Sequence, residues 1–275
     1  MPMHTETEPF SAAWEQWHAA HERRLADPHG FLAITHLHWL DSTAARLDGA
    51  PGAWSVEDGA VQISLEPGES LQRDGQELNT PAGTTISLGP IEERGGVDLV
   101  AGESVIEVAK RGGQYIVRPR NPGSALLRDY HGTPAYEPAP AFAVDGTFVP
   151  FEEPRPTTVG AVVEGIQHVY EAPGEIRFEL AGRQLALTAF NGSAPGSLSV
   201  LFTDLTSGRT TYAANRSVSA VPAADGSVQL DFNRAVNLPC AYTDLATCPL
   251  PPAENRLPVA VEAGEKIPYE REGQQ

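Results

Sequence analysis

The stretch VDLVAGESVIEVAKRGGQYIVRPR, Val97 to Arg120, decides the fold. Short runs of β-branched and aromatic residues alternate with polar ones, and glycines interrupt them at short intervals. That texture predicts three strands joined by tight turns at Ala101-Gly102 and Gly112-Gly113. The same pattern extends upstream. WSVEDGAVQISL (54–65) and SLQRDGQEL (70–78) each carry an Asp-Gly pair, the strongest short hairpin signal. Downstream, FAVDGTFVPF (142–151) predicts a further Asp-Gly hairpin or bend, and EEPRPTT (152–158) a connector. Beyond it TVGAVVEGIQHVY, GEIRFEL, RQLALTAF, SLSVLFTDL, RSVSAV and SVQLDFN all read as strands.

Helical signal is confined to the start. SAAWEQWHAAHERRL (11–25) offers Ser11 as N-cap and places Phe10, Trp14, Trp17, His21 and Leu25 at roughly helical spacing. DPHG then stops the helix. FLAITHLHWL (31–40) is apolar enough to be buried, as a short helix or as a strand. The expected architecture is mainly β: an N-terminal helical segment (1–45) followed by two β-rich halves (46–151 and 152–275), sandwich or barrel-like, packed as separate domains or as one.

Composition narrows the function. The 275 residues carry a net charge of −17, so phosphate backbones and anionic membranes would repel the chain and nucleic acid is not an expected partner. No apolar run has the length of a membrane span. The opening MPMHTETEPF has neither a basic region nor an apolar one, which predicts no signal peptide and a cytoplasmic location. In that compartment the two cysteines, Cys240 and Cys248, are expected as thiols.

Few local motifs point to chemistry. His36 and His38, two apart, could be a pair of metal ligands or two partly buried polar residues; no third ligand has recognisable spacing, and the cysteine gap suits no zinc knuckle. Neither a metal nor a cofactor is expected. GxSxG, GxxxxGK and GxGxxG are absent. What stands out is residues 231–266, with both cysteines, five prolines and one of only two lysines against seventeen arginines. Its Asn and Asp side chains set turns and its prolines bar helix. The segment is either a rigid crossing connector or a preorganised polar wall presenting Asn233, Asn237, Asn255, Glu265 and Lys266.

This same stretch carries a resemblance. LDFNRAVNLPCAYTDLATCPLPPAENRLPVAVEAGEK, with FTDLTSGRTTY before it, resembles the bacterial and archaeal family called domain of unknown function 1684. ERRLADPHGFLAITHLHWL and RGGQYIVRPRNP are similar to weaker blocks of that family. The resemblance implies a stand-alone, mostly cytoplasmic protein without a settled activity. The chain departs from the family pattern at Leu238, where a second proline is common, and at Asn215, where glycine usually precedes Arg216. It departs also at Asn121, where aspartate is usual, and in lacking the glycine before Leu37. If those positions carry activity, this member differs in substrate or function.

The residues support an enzyme, a hydrolase or lyase acting on an anionic small molecule, with its site at the junction of the two β-rich halves. Arg216 would bind the anion through its fork of donors. Asn233, Asn237 and Asn255 would line the wall and orient the substrate or a developing oxyanion. Glu265 would act as acid or base with Lys266 as its electrostatic partner, and Cys240 would be the nucleophile if there is one. The alternative is a ligand-binding or interaction module with the same wall and no chemistry.

Overall fold

The computed structural model describes residues 7–79 and 82–271; the reading of the first residues as lacking a leader lies outside them. The chain forms two compact units. The smaller is Arg23–His131, and the larger joins Met1–Glu22 to Gly132–Gln275. The boundary read at 151/152 falls inside a single long strand, and the chain divides after Glu22 and after His131 instead.

Helix α1 runs Thr7–Leu25. It begins four residues before the expected start, so Ser11 lies within it. Pro9 in the first turn loses nothing, because amide groups there have no helical acceptor. FLAITHLHWL is both things at once: a 3₁₀ turn, Phe31–Ala33, then strand β1, His38–Trp39.

The smaller unit continues with β2 (Ala45–Leu47), β3 (Ala50–Glu57), β4 (Ala60–Leu65), β5 (Gln72–Arg73), β6 (Gln76–Glu77), β7 (Thr84–Leu88), β8 (Gly96–Ala101), β9 (Ser104–Arg111) and β10 (Gln114–Arg120), then the short helix α2 (Ala125–Asp129). They form a six-stranded sheet, β1-β10-β9-β8-β5-β6, and a four-stranded one, β2-β3-β4-β7. The hairpin signals hold. Asp58-Gly59, Asp74-Gly75 and Gly112 with Gly113 all take positive φ, as type I′ turns require. The turn between β8 and β9 sits one residue later than read, at Gly102-Glu103. In β4, Val61, Ile63 and Leu65 are buried while Gln62 and Ser64 are not, and they close the core with Trp54, Leu99 and Ile106.

One charge cluster lies inside this unit. Glu107 is 7% exposed and accepts two hydrogen bonds from Arg118, at 2.9 and 2.6 Å, and one from Arg120 at 2.5 Å. Burial alone would raise its pKa, but Arg118 and Arg120 outweigh burial and hold it below the ordinary carboxylate value. An acid with a depressed folded pKa stabilises the fold above its unfolded pKa, and that contribution is lost as pH falls through the folded value. Urea midpoints for the smaller unit should therefore fall as pH drops below the ordinary carboxylate range. A Glu107→Gln variant should be less stable at neutral pH and lose less on acidification. Parallel pH profiles for the two proteins would count against the cluster as the cause.

The larger unit is built on one seven-stranded sheet, β16-β11-β12-β13-β14-β15-β17. Its strands are β11 (Ala143–Gly160), β12 (Gln167–Leu180), β13 (Arg183–Asn191), β14 (Leu198–Phe202), β15 (Arg216–Ala220), β16 (Ser227–Asp231) and β17 (Val236–Asn237). The strand readings after residue 158 hold in the main, and among the described residues no barrel closes. The mainly β expectation is therefore correct, in the open, sandwich-like form. Two turn readings fail. Asp145-Gly146 lies within β11, paired to β12 and β16. Gly146 serves close approach there, since a Cβ would stand 2.8 Å from the Arg177 carbonyl oxygen. EEPRPTT is not a connector but the second half of β11. The ladder breaks between Pro150 and Arg155, and past Thr147 no strand among the described residues bonds the outer side of β11, so prolines cost nothing on that edge.

The core of this unit is formed by Ile176, Phe178, Leu187 and Leu230, with Phe202 and Phe232 meeting edge to face at 5.3 Å. Over them lies an extended strap. Leu257, Val259, Val261 and Ala263 are buried while Pro258, Ala260 and Glu262 are exposed, a period of two without a full ladder. Thr203 and Leu205 donate to the strap region at the Asn255 and Val259 carbonyls, 3.1 Å each.

Candidate functional site

The strap ends in the most constrained polar groups of the larger unit. Gly264 has φ +74°, and a Cβ there would lie 2.8 Å from the Phe232 carbonyl oxygen, so only glycine lets the strap press against residues 232–235. Glu265 follows. Its side chain is 2% exposed, and its carboxylate gathers donors from three distant segments. His21 Nε2 stands 2.8 Å from Oε1, the Asn237 amide donates to Oε2 at 2.5 Å, and the Tyr242 hydroxyl reaches Oε2 at 3.4 Å. The Tyr242 hydroxyl also meets Thr133 Oγ1 at 2.8 Å.

His21 comes from α1, whose inner face carries Trp14, Trp17, His18 and His21 at the three-and-four spacing of one helical stripe. Trp17 stacks on His21 at 5.5 Å with planes 4° apart, and Trp14 on His18 at 4.6 Å. The Trp14 indole donates to the Asn233 carbonyl at 2.7 Å, and the Arg234 guanidinium lies 5.5 Å above the Trp17 ring. A carboxylate can only accept, so the nitrogen facing Glu265 carries a proton when Glu265 is ionised. That fixes the ring's tautomer and orientation.

The seven residues read from the sequence all belong to the larger unit. Glu265 is central. Lys266 is not its partner: its ammonium lies 4.5 Å from the Tyr136 ring centroid, and among the described residues no carboxylate is within ion-pairing distance. Neighbours on an extended segment face opposite sides, which separates the two. Asn237 meets Glu265 through its backbone, and its side-chain amide donates to the Lys266 carbonyl at 2.8 Å.

Arg216 is no anion site. Its side chain is 1% exposed, ion-paired to Asp204 at 2.9 Å, and donates to the carbonyls of Ala263, of Val261 at 3.0 Å and of Glu265 at 3.2 Å. It clamps the strap to the sheet. Burial pushes its pKa down, with Asp204 acting the other way. Asn233 ties two distant segments, accepting from the Ala139 amide at 2.8 Å and donating to the Ala139 carbonyl at 3.0 Å. Asn255 does the same for Thr188, at 2.8 Å each way, and also donates to the Leu201 carbonyl. Both are fully engaged backbone locks, because an Asn side chain mimics a peptide group.

Cys240 is not an activated nucleophile. It is 3% exposed in an apolar cluster with Ala246, Cys248, Val162, Tyr212 and Leu238. The neighbouring Cys248 thiol and burial both push its own thiol well up, so it holds its proton. The cysteines are not joined by a disulfide. His36 and His38 stack at 5.5 Å and bond the Thr35 hydroxyl and the Asp48 carbonyl. Among the described residues no three His, Cys, Asp or Glu side chains converge as a metal site would need. Also among the described residues, no helix is long and apolar enough to cross a membrane.

His21, Tyr242, Thr133 and Asp204 were not singled out for function by sequence reasoning. The one signal for His21 was its place on the apolar stripe of α1, where a polar ring needs a partner. An open cavity of about 930 Å³ lies at the β11 bulge among Glu152, Glu153, Arg155, Glu175 and Arg177, and none of the candidate residues lines it.

Comparison with known proteins brings a family and little chemistry. A family model described as Protein of unknown function (DUF1684) matches residues 128–266, which holds the strap, Tyr242 and Glu265 but not His21. The solution structure of an uncharacterized protein of Haloarcula marismortui is 32% identical, covering 50% of this chain and 78% of that one with a TM-score of 0.43. No curated protein matches the chain.

Proposed function

The chain belongs to the DUF1684 family of proteins of unknown function, and on that footing we propose that it is a small-molecule enzyme whose working group is the His21–Glu265 pair. The observation that supports this is a buried carboxylate that forms no ion pair with Arg or Lys among the described residues and is held instead by an imidazole, an amide and a phenol. Such an arrangement orients a histidine and stabilises its protonated form as a proton arrives. Glu265 is the orienting carboxylate, His21 the group that takes and returns the proton, and Tyr242 with Thr133 a hydroxyl link beside it. Proton transfer of this kind serves hydrolysis or elimination, and an anionic substrate suits a helix face where Arg234 overlies Trp17. A location in the cytoplasm fits this reading.

A second reading has a specific support. Trp17 lies parallel on His21 and covers one face of its ring, as a docking contact without chemistry would. Incubation with a small-molecule metabolite extract, followed by mass spectrometry, separates the two. The enzyme reading expects wild type to deplete at least one compound and folded His21→Gln to deplete none. If wild type depletes nothing, or the variant matches it, the enzyme reading fails.

A further inference from the structure

We propose that Cys240 and Cys248 are a redox-active dithiol that closes to an intramolecular disulfide when the protein meets hydrogen peroxide. They are the only cysteines in the chain, and both sit in the same apolar cluster at 3% and 7% exposure. The Cys240 amide donates to the Cys248 sulfur at 3.3 Å, so the backbone of one touches the side chain of the other.

The intervening segment holds them together. The Tyr242 and Thr243 amides both donate back to the Pro239 carbonyl, at 3.0 and 3.1 Å, which turns the chain on itself directly after Cys240. The two ends are anchored separately. The Val162 amide donates to the Cys248 carbonyl at 3.0 Å, and Arg271 to the Cys240 carbonyl at 3.5 Å. Two cysteines packed in one cluster, the sulfur of one against the backbone amide of the other, need little rearrangement to reach disulfide geometry.

The geometry also assigns the order of events. A sulfur that accepts an amide hydrogen bond is the one on which negative charge is stabilised, so Cys248 attacks. Its thiolate forms a bond to one peroxide oxygen and the O–O bond breaks. The departing hydroxide takes the proton that Cys248 gave up and leaves as water, and Cys248 becomes a sulfenic acid. The Cys240 sulfur then attacks the Cys248 sulfur. The S–O bond breaks, and the hydroxyl leaves as a second water with the Cys240 proton. Two thiols are oxidised by two electrons and one peroxide is reduced to two waters. Tyr242 lies between the two cysteines in sequence and reaches Glu265, so closure would be felt at that carboxylate; the dithiol itself does not depend on the function proposed for His21.

The test uses the whole protein. It is exposed to hydrogen peroxide, unfolded in N-ethylmaleimide, and the peptide containing both cysteines is weighed. The expected product is lighter than the reduced peptide by two hydrogen atoms and carries no maleimide, and dithiothreitol restores a peptide with two maleimides. Cys240→Ser should instead leave Cys248 alkylated or carrying oxygen. Two maleimides on the wild-type peptide after peroxide, or oxygen added to sulfur without loss of hydrogen, would overturn the proposal.

Discussion

Replacing Arg216 with methionine should cost the larger unit about 3–5 kcal/mol of stability, the range for removing one partner of a buried ion pair. The loss has two sources. Asp204 Oδ1 keeps its donors, the Thr206 amide at 2.7 Å, the Thr206 hydroxyl at 2.6 Å and the Val261 amide at 3.2 Å, but Oδ2 loses the guanidinium. The carbonyls of Val261, Ala263 and Glu265 lose their donor in the same step. Methionine fills much of the volume, so packing is a minor part of the effect. Arg216→Lys should recover only part of the loss, because one ammonium cannot reach acceptors arranged for a planar fork. Urea unfolding gives the magnitude, and hydrogen exchange at the Val261 and Glu265 amides reports release of the strap. A change below about 1 kcal/mol would mean that the strap is held by its apolar residues alone.

Glu265→Leu should cost about 2–4 kcal/mol, since His21, the Asn237 amide and the Tyr242 hydroxyl would lose an acceptor in a dry site. Glu265→Gln should cost less: the amide keeps one acceptor oxygen, and its NH₂ cannot accept from the Asn237 amide. The sharper measurement is the pair of changes. His21→Leu with Glu265→Leu removes donor and acceptor together, so the double variant should lose less than the two single losses added. Simple additivity would show that His21 and Glu265 do not stabilise one another. Exchange rates of α1 amides should rise in both single variants.

Much of the β framework was legible because its signals are local. Asp58-Gly59, Asp74-Gly75 and Gly112-Gly113 impose positive φ on two successive residues, and nothing distant competes with that requirement. Asp145-Gly146 carries the same dipeptide and is not a turn, because β12 and β16 bond it from both sides. Pairing there overrides turn preference, and glycine is kept for proximity to Arg177. The prolines at 154 and 156 misled for a related reason: an open edge tolerates what an inner strand forbids. The strap after Asn255 alternates as clearly as any strand, but Pro258 and the missing ladder hid it.

Glu265 could be read as special from its block. Its partner could not, since His21 lies 244 residues away and no spacing rule reaches that far. Arg216 was misjudged by type. Arginine serves anion recognition and carbonyl clamping with the same donors, and only burial tells them apart.

The separation of 244 in sequence between His21 and Glu265 also sets an order during synthesis. The ribosome releases α1 before the strap. Between the two, Arg23–His131 has time to form its own sheets, since neither end of that segment waits for anything downstream to supply its core. The Thr133 amide donates to Glu22 Oε1 at 3.3 Å, so the chain leaves the larger unit and returns to it at neighbouring points. Until Glu265 emerges, His21 lacks the carboxylate that it closes on. A nascent chain stopped before Asn233 lacks in addition the carbonyl that Trp14 bonds and the guanidinium over Trp17, and displays an aromatic helix face, the kind of surface that chaperones and proteases act on.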